Sequence, residues 1–128
     1  MSVVYDAGVL IAADRDNRAV WADHRARLEL GLVPLTTAPV VAQVSRRPQQ
    51  AQLRRFLRGC EVQPFLPEEA HQVGGLLGRA GTADVVDGHL AITAARTASS
   101  VRTDDAEDIK HLSEHLPTSI TVLPVHGP

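Results

Sequence analysis

The sequence predicts a three-layer α/β domain around a central sheet of roughly five parallel strands, and three observations lead there. Strand-like apolar runs and helical periodicities alternate along all 128 residues, without an internal repeat or a low-complexity linker. Val, Leu, Ile and Ala supply most of the 44% hydrophobic content and aromatics only 3%, a composition that suits a parallel sheet covered on both faces. Asp6 and Asp105 lie just past the ends of two strand-like runs, at the edge where open α/β sheets bind their ligands.

The first strand spans about residues 2 to 6 and runs into a short helix carrying Val9, Leu10, Ile11 and Ala12. A second helix starts near Asn17, with Trp21 and Leu28 on its apolar side. Val33 to Thr36 reads as the second strand, and Pro39 then falls in the first turn of a helix, where its missing N–H is tolerated. That helix carries Val40, Val41 and Val44 before Pro48 interrupts it. Leu53, Phe56, Leu57 and Cys60 recur at i, i+3, i+4 and i+7, the apolar face of a further helix. Glu61 to Leu66 predicts the third strand. Pro67 opens a helix with Ala70, Val73, Leu77 and Ala80 at helical spacing, and Gly81 stops it. The next helix begins between Thr82 and Val85, continues through Leu90, Ile92 and Ala95, and feeds a strand over residues 100 to 103. Asp105 to Leu116 forms the last helix, with Ile109, Leu112 and Leu116 on one side, and Ile120 to Val125 is the final strand.

Length fits one domain over residues 1–128, long enough to bury a real core. A net charge of −2 decides nothing about nucleic acid. All but Lys110 of the 13 basic residues are arginine, which a GC-rich genome produces as readily as a phosphate-binding site does. Cys60 is the only cysteine; it excludes an intramolecular disulfide and a thiolate metal cluster, and it reads as a core residue. No basic-then-apolar signal segment opens the chain, and no apolar stretch approaches the roughly 20 residues that span a bilayer. The expectation is a soluble, cytoplasmic protein.

Asp6, Asp84, Asp87 and Asp105 are far apart in sequence, yet the predicted sheet brings them to one mouth. Asp84 and Asp87 stand three apart on one helix and project from the same face, beside the small residues Gly88 and Ala91 that let a sheet edge or a ligand come close. Carboxylates converging in this way repel one another and take up protons unless a cation is present. Such a set stabilises a fold poorly but suits Mg²⁺ or Mn²⁺, hard cations that prefer oxygen ligands and keep waters for a substrate phosphate to replace.

Each acid also has a structural reading. Asp84 can cap its helix, and Asp105 with Asp108 has capping-box spacing. Asp104, Glu107 and Asp108 suit the solvated first turn of a helix. Asp6 closes a buried apolar strand, where a carboxylate has little structural purpose without a partner. Arg46, Arg47, Arg54, Arg55 and Arg58 concentrate positive charge where a phosphate backbone could lie, or form a solvated face or a protein contact. His111 and His115 are four apart without an evident acidic third ligand and read as a surface helix. His89 reads as a packed or exposed histidine, and Gly74, Gly75 and Gly78 as positions that permit close helix packing.

Three segments, Val4-Tyr5-Asp6-Ala7-Gly8-Val9-Leu10-Ile11-Ala12, Asp84-Val85-Val86-Asp87-Gly88-His89-Leu90-Ala91 and Thr103-Asp104-Asp105-Ala106-Glu107-Asp108-Ile109, resemble the PIN-domain ribonucleases. The nearest branch is the VapC-like toxins of bacterial type II toxin–antitoxin modules, and the resemblance covers essentially the whole chain in length and element order. It implies a PIN-like α/β/α fold in which Asp6 is the first metal ligand, Asp87 the third acid of the family pattern and Asp105 the fourth. Asp84 would be an additional acid and Thr103 a hydroxyl that orients ligands or water. Gln43 stands where the family usually carries a glutamate, keeping an oxygen acceptor but losing the charge. With Arg46 and Arg47 it would contact substrate. The implied protein is an Mg²⁺- or Mn²⁺-dependent endoribonuclease, a homodimer inhibited by a cognate antitoxin that inserts into its groove. The rival expectation, which Gln43 supports, is a catalytically weak or inactive PIN-like module that binds RNA or protein.

Overall fold

The computed structural model describes residues 2–128. Five strands, β1 (Val3–Tyr5), β2 (Leu35–Thr37), β3 (Glu61–Gln63), β4 (Ser100–Arg102) and β5 (Val122–Leu123), pair in parallel as one sheet in the order β3-β2-β1-β4-β5. Between them run the helices α1 (Ala7–Asp14), α2 (Arg18–Glu29), α3 (Ala38–Val44), α4 (Ala51–Arg58), α5 (Pro67–Ala80), α6 (Val85–Arg96) and α7 (Ala106–Ser113). Helices α1 to α4 pack among themselves, α5 to α7 do the same, and the sheet completes the expected three-layer α/β arrangement.

The strand order positions the site. From β1 the chain builds outward through β2 to β3, then returns to lay β4 on the other side of β1. The β1/β4 boundary is therefore the switch point, where two loops leave the carboxyl edge in opposite directions and open a crevice. Register sets Tyr5 against Arg102, and the Asp6 N–H donates to the Arg102 carbonyl at 3.0 Å. Asp6 and Thr103 consequently leave the sheet side by side.

Packing explains the strands. Val3, Val4 and Tyr5 are all buried, as are Ser100, Val101 and Arg102, so the central strands lack the alternation of a half-exposed sheet. Their core includes Val9, Leu10, Val40, Leu53, Phe56, Leu90 and Ile109, with a second cluster of Val73, Leu76, Leu77, Ala91, Ile92 and Leu112 between α5, α6 and α7. Cys60 packs against the main core as expected; its thiol lies 3.6 Å from the Phe56 carbonyl, and burial pushes it up to about 12.

Several boundaries and faces differ from the sequence expectation for local reasons. The second strand begins at Leu35 rather than Val33, because ladder bonding starts where the Glu61 N–H meets the Pro34 carbonyl. The third and fifth strands stop before Pro64 and Pro124, which carry no N–H to continue a ladder. The fourth helix ends at Arg58, so Cys60 lies beyond it, and the last helix ends at Ser113 rather than Leu116. On α2 the buried pair is Val20 and His24, while Leu28 is exposed. On α5 Glu69 is buried and Ala70 exposed, because the Glu69 carboxylate accepts the Leu66 N–H at 2.9 Å and faces His89 and Arg96. Gly81 stops α5 in the left-handed conformation, φ 72°. A Cβ at Gly74 or Gly78 would meet open space, so those glycines do not serve packing within the chain.

Candidate active site

The carboxyl edge of β1 and β4 gathers the acids. Asp6 follows β1 and is only 4% exposed; its Oδ1 accepts the Ala7 N–H at 2.7 Å and its Oδ2 accepts the Thr103 hydroxyl at 2.6 Å. Thr103 in turn accepts the Asp105 N–H at 2.9 Å. One hydroxyl thus fixes the first acid and the backbone of the fourth. Fixed groups with lone pairs left over suit ligation, since a carboxylate offers about four acceptor sites.

Asp84 and Asp87 arrive from α6. Asp84 is the N-cap rather than a residue of the helical face, and its Oδ1 accepts the Asp87 N–H at 3.0 Å. Its capping reading therefore holds, and the cap also places the carboxylate beside Asp87. Gly88 leaves room for α5 rather than for a ligand, since a Cβ there would stand 3.0 Å from Leu77 and 3.1 Å from Val73. Asp105 occupies the N-cap position of α7 but makes no side-chain cap bond, so its carboxylate is not consumed by the helix end.

Asp87, Asp105 and Asp108 each offer an oxygen within 4.8 Å of the others. Asp108 lies in the exposed first turn of α7, as expected, and also joins the acidic group. Asp84, Asp87 and Asp108 line a cleft of about 170 Å³ with Ala80, Gly81, Thr82, His111 and Leu112. Asp104 is a second addition. A Cβ on Gly8 would fall 2.5 Å from its carboxyl carbon, so the Asp104 carboxylate rests directly on the first turn of α1. The sequence carried a signal for it, because a glycine two residues after a strand-ending acid leaves space above a helix N-terminus, where negative charge is favoured.

Electrostatics follows from the crowding. Burial, then Asp84, Asp6, Asp105 and Asp108 in turn, push the Asp87 carboxyl up to about 7. Burial raises Asp6 as well, helped by Asp104 and Asp84 and opposed by the Thr103 and Ala7 hydrogen bonds. Asp105 is raised by desolvation, by its hydrogen bond to Asp108 and by the charges of Asp108, Asp6 and Asp104. These directions share one meaning: without a cation, burial and mutual repulsion disfavour the charged forms of these carboxyls relative to water. The donors are all oxygen, which fits Mg²⁺ or Mn²⁺ and disfavours softer ions.

The remaining expected residues lie apart from this group. Gln43, Arg46 and Arg47 line a different cleft of about 330 Å³, with Ile11, Asp14, Arg15, Val44 and Gln50. The backbone N–H groups of Arg46 and Arg47 donate to Gln50 Oε1, at 2.7 and 3.0 Å, which fixes the bend after α3. Arg47 also approaches Asp14 at 3.7 Å. Arg55 lies over the Trp21 ring and Arg54 donates to the Pro48 carbonyl, so these two side chains are engaged within the chain. His89 is fully buried, stacked on Phe65 at 4.5 Å and 3.6 Å from Glu69, and therefore belongs to the packing of α5 on α6. Among the described residues no helix is long and apolar enough to cross a membrane.

No family model matches the chain, and no curated protein matches it. Solved structures do. The chain is similar to PAE2754 from Pyrobaculum aerophilum, at 15% identity and a TM-score of 0.63 over 98% of this chain and 90% of that one. It is similar to a chain of VapBC2 from Rickettsia felis bound to a DNA fragment from its promoter, at 15% identity and a TM-score of 0.69 over 97% and 98% of the two chains. A chain of FitAB bound to an IR36 DNA fragment gives 17% identity and a TM-score of 0.63 over 96% and 94%. At such identities the likeness is one of fold, and the fold is the three-layer PIN-like domain found in chains of toxin–antitoxin complexes. The narrower identification as a VapC-like PIN ribonuclease toxin is corrected by the same findings. The matched VapBC2 and FitAB chains come from DNA-bound assemblies and are only 15% and 17% identical, and no family or curated match restores the toxin designation. Its physical source is plain: a strand ending in Asp and a helix opening on Asp recur wherever this sheet gathers acids at its switch point, so short segments carry fold more than membership.

Proposed function

We propose that the protein is a divalent-metal-dependent endoribonuclease that hydrolyses RNA phosphodiester bonds at the carboxyl edge of β1 and β4. The observation that carries this reading is the convergence of Asp87, Asp105 and Asp108 oxygens within 4.8 Å, beside an Asp6 locked in place by Thr103. Asp87, Asp105 and Asp108, with Asp6 and Asp84 beside them, would hold Mg²⁺ or Mn²⁺. A hard cation at such a site supplies Lewis acidity toward a phosphoryl oxygen and lowers the pKa of water. Around it the chain's own groups position and tune. Thr103 keeps Asp6 and the Asp105 backbone in fixed relation, Asp84 orders the first turn of α6 so that Asp87 faces its neighbours, and Asp108 and Asp104 add charge that draws the cation in.

Arg46 and Arg47, with Gln43, offer a basic cleft for a polynucleotide backbone. RNA is the substrate class proposed, with a homodimer and an antitoxin-type protein partner as the proposed assembly; the structural neighbours from toxin–antitoxin complexes support the partner alone. The second reading, a weak or inactive module that binds RNA or protein, is favoured by Gln43, which is uncharged and lines a cleft other than the acidic one. Both are tested by incubating the protein with single-stranded RNA in Mn²⁺, in Mg²⁺ and in EDTA, alongside Asp87→Asn. Cleavage that needs metal and Asp87 supports the nuclease. Equal turnover in EDTA sinks the metal site, and binding without cleavage selects the module.

A further inference from the structure

His111, Glu114 and His115 each offer a ligand atom within 4.8 Å of the others, at the C-terminal end of α7, and His111 also lines the acidic cleft. The sequence spacing alone left two histidines without a third ligand. The fold supplies it, because the helix ends at Ser113 and Glu114, at the C-cap, brings Oε2 to 4.0 Å from His111 Nδ1. The His111 and His115 rings lie edge to face with centroids 5.3 Å apart.

A second, independent observation concerns His111 itself. Its Nε2 lies 2.7 Å from the Ala80 carbonyl, which can only accept, so Nε2 carries the hydrogen and the neutral ring presents its lone pair at Nδ1. Nδ1 is the atom that faces Glu114. Metal-binding histidines are held in this manner, one ring nitrogen donating to a carbonyl while the other ligates. Ligands on one tetrahedral Zn²⁺ stand roughly 3.3 Å apart, given bonds of about 2.0 to 2.1 Å. Closing the observed separations therefore needs only small torsions in the exposed His111 and Glu114 side chains and the partly buried His115.

We propose that His111, Glu114 and His115 form a second metal site, taking Zn²⁺ or another borderline transition metal through two imidazoles and one carboxylate. It differs in kind from the all-oxygen acidic group and does not rest on the proposed nuclease activity. Because His111 also lines the acidic cleft and is tied to the end of α5, an ion bound there would clamp α7 to α5 along one wall of that cleft.

The test uses Co²⁺ as a spectroscopic probe on the intact protein, with Zn²⁺ as competitor, because nitrogen ligation gives visible absorption that an all-oxygen site gives only weakly. Wild type should show saturable absorption that Zn²⁺ abolishes. His115→Ala and Glu114→Gln, changes that leave the Ala80 contact intact, should weaken binding at least about tenfold, and Asp87→Asn should retain the intense nitrogen-ligand absorption. Loss of absorption in Asp87→Asn with retention in His115→Ala would overturn the site, as would no absorption by wild type at submillimolar cobalt.

Discussion

Tyr5 ends β1 and Asp6 follows it, yet the region around Tyr5 pairs neutral groups in the core while the region around Asp6 crowds carboxylates together. Beneath α2 and α4 the Tyr5 hydroxyl pairs with His24 Nδ1 at 3.1 Å, the His24 ring stacks on Phe56 at 3.9 Å, and Trp21 donates its indole N–H to the Ala13 carbonyl. Burial raises Tyr5 and lowers His24, so both are driven toward the neutral forms that the interior accepts. At the mouth, burial likewise raises Asp6, Asp87 and Asp105, but neutrality there requires a proton or a cation. The aromatic region is arranged for stability, and the acidic region stores repulsion that a ligand can relieve.

The comparison breaks first at Phe56. Phe56→Ala should destabilise the fold by about 3 to 5 kcal/mol by opening a cavity beside Tyr5, His24 and Trp21, which chemical denaturation would measure. Any activity loss should follow the unfolded fraction. Asp87→Asn should do the opposite. Metal-dependent cleavage should fall on the order of 10²- to 10³-fold, while the metal-free variant becomes more stable than wild type at neutral pH because a repelling charge is gone. Reduced stability of that variant in EDTA would contradict the repulsion account.

Thr103→Val removes the donor to Asp6 and the acceptor for the Asp105 N–H together, at a cost of about 1 to 3 kcal/mol. Mn²⁺ affinity, read by calorimetry, should fall with it. A pH profile sharpens the contrast. The Asp87 carboxyl titrates near 7 when folded against 3.8 for an ordinary one, so between those values the folded state holds a proton that the unfolded state has lost. Its contribution therefore favours folding at low pH and is lost as pH rises toward 7. Metal-free melting temperature should decline across that window more steeply in wild type than in Asp87→Asn, and saturating Mn²⁺ should flatten the decline. The smallest effect is expected at Arg46→Ala with Arg47→Ala: a few-fold loss of RNA binding and a shallower salt dependence, by about one to two in slope, with Mn²⁺ affinity unchanged.

Much of the fold was legible because its signals are local. Pro39, Pro67 and Gly81 punctuate helices through dihedral restrictions that do not depend on tertiary context, and the Val- and Leu-rich runs can only be buried strands or helix faces. The placement of Asp6, Asp84 and Asp105 at element ends, and of Asp87 in a first turn, was legible for the same reason. Glu69 was not, because its burial depends on a partner N–H three residues away and on His89 from another helix. Nor were Asp104 and Asp108 distinguishable from a solvated helix start until α1 and α6 were brought against them.

By itself, the sequence determined an alternating α/β chain, an aliphatic core and a set of acids at element ends, all consequences of periodicity and backbone chemistry. Only the tertiary structure decided which acids meet, that Asp105 is spared from capping, that Gln43 lines another cleft and that Glu114 joins His111. Those outcomes depend on crossover, register and the points where helices stop, and each is fixed by contacts between segments that one-dimensional spacing does not contain.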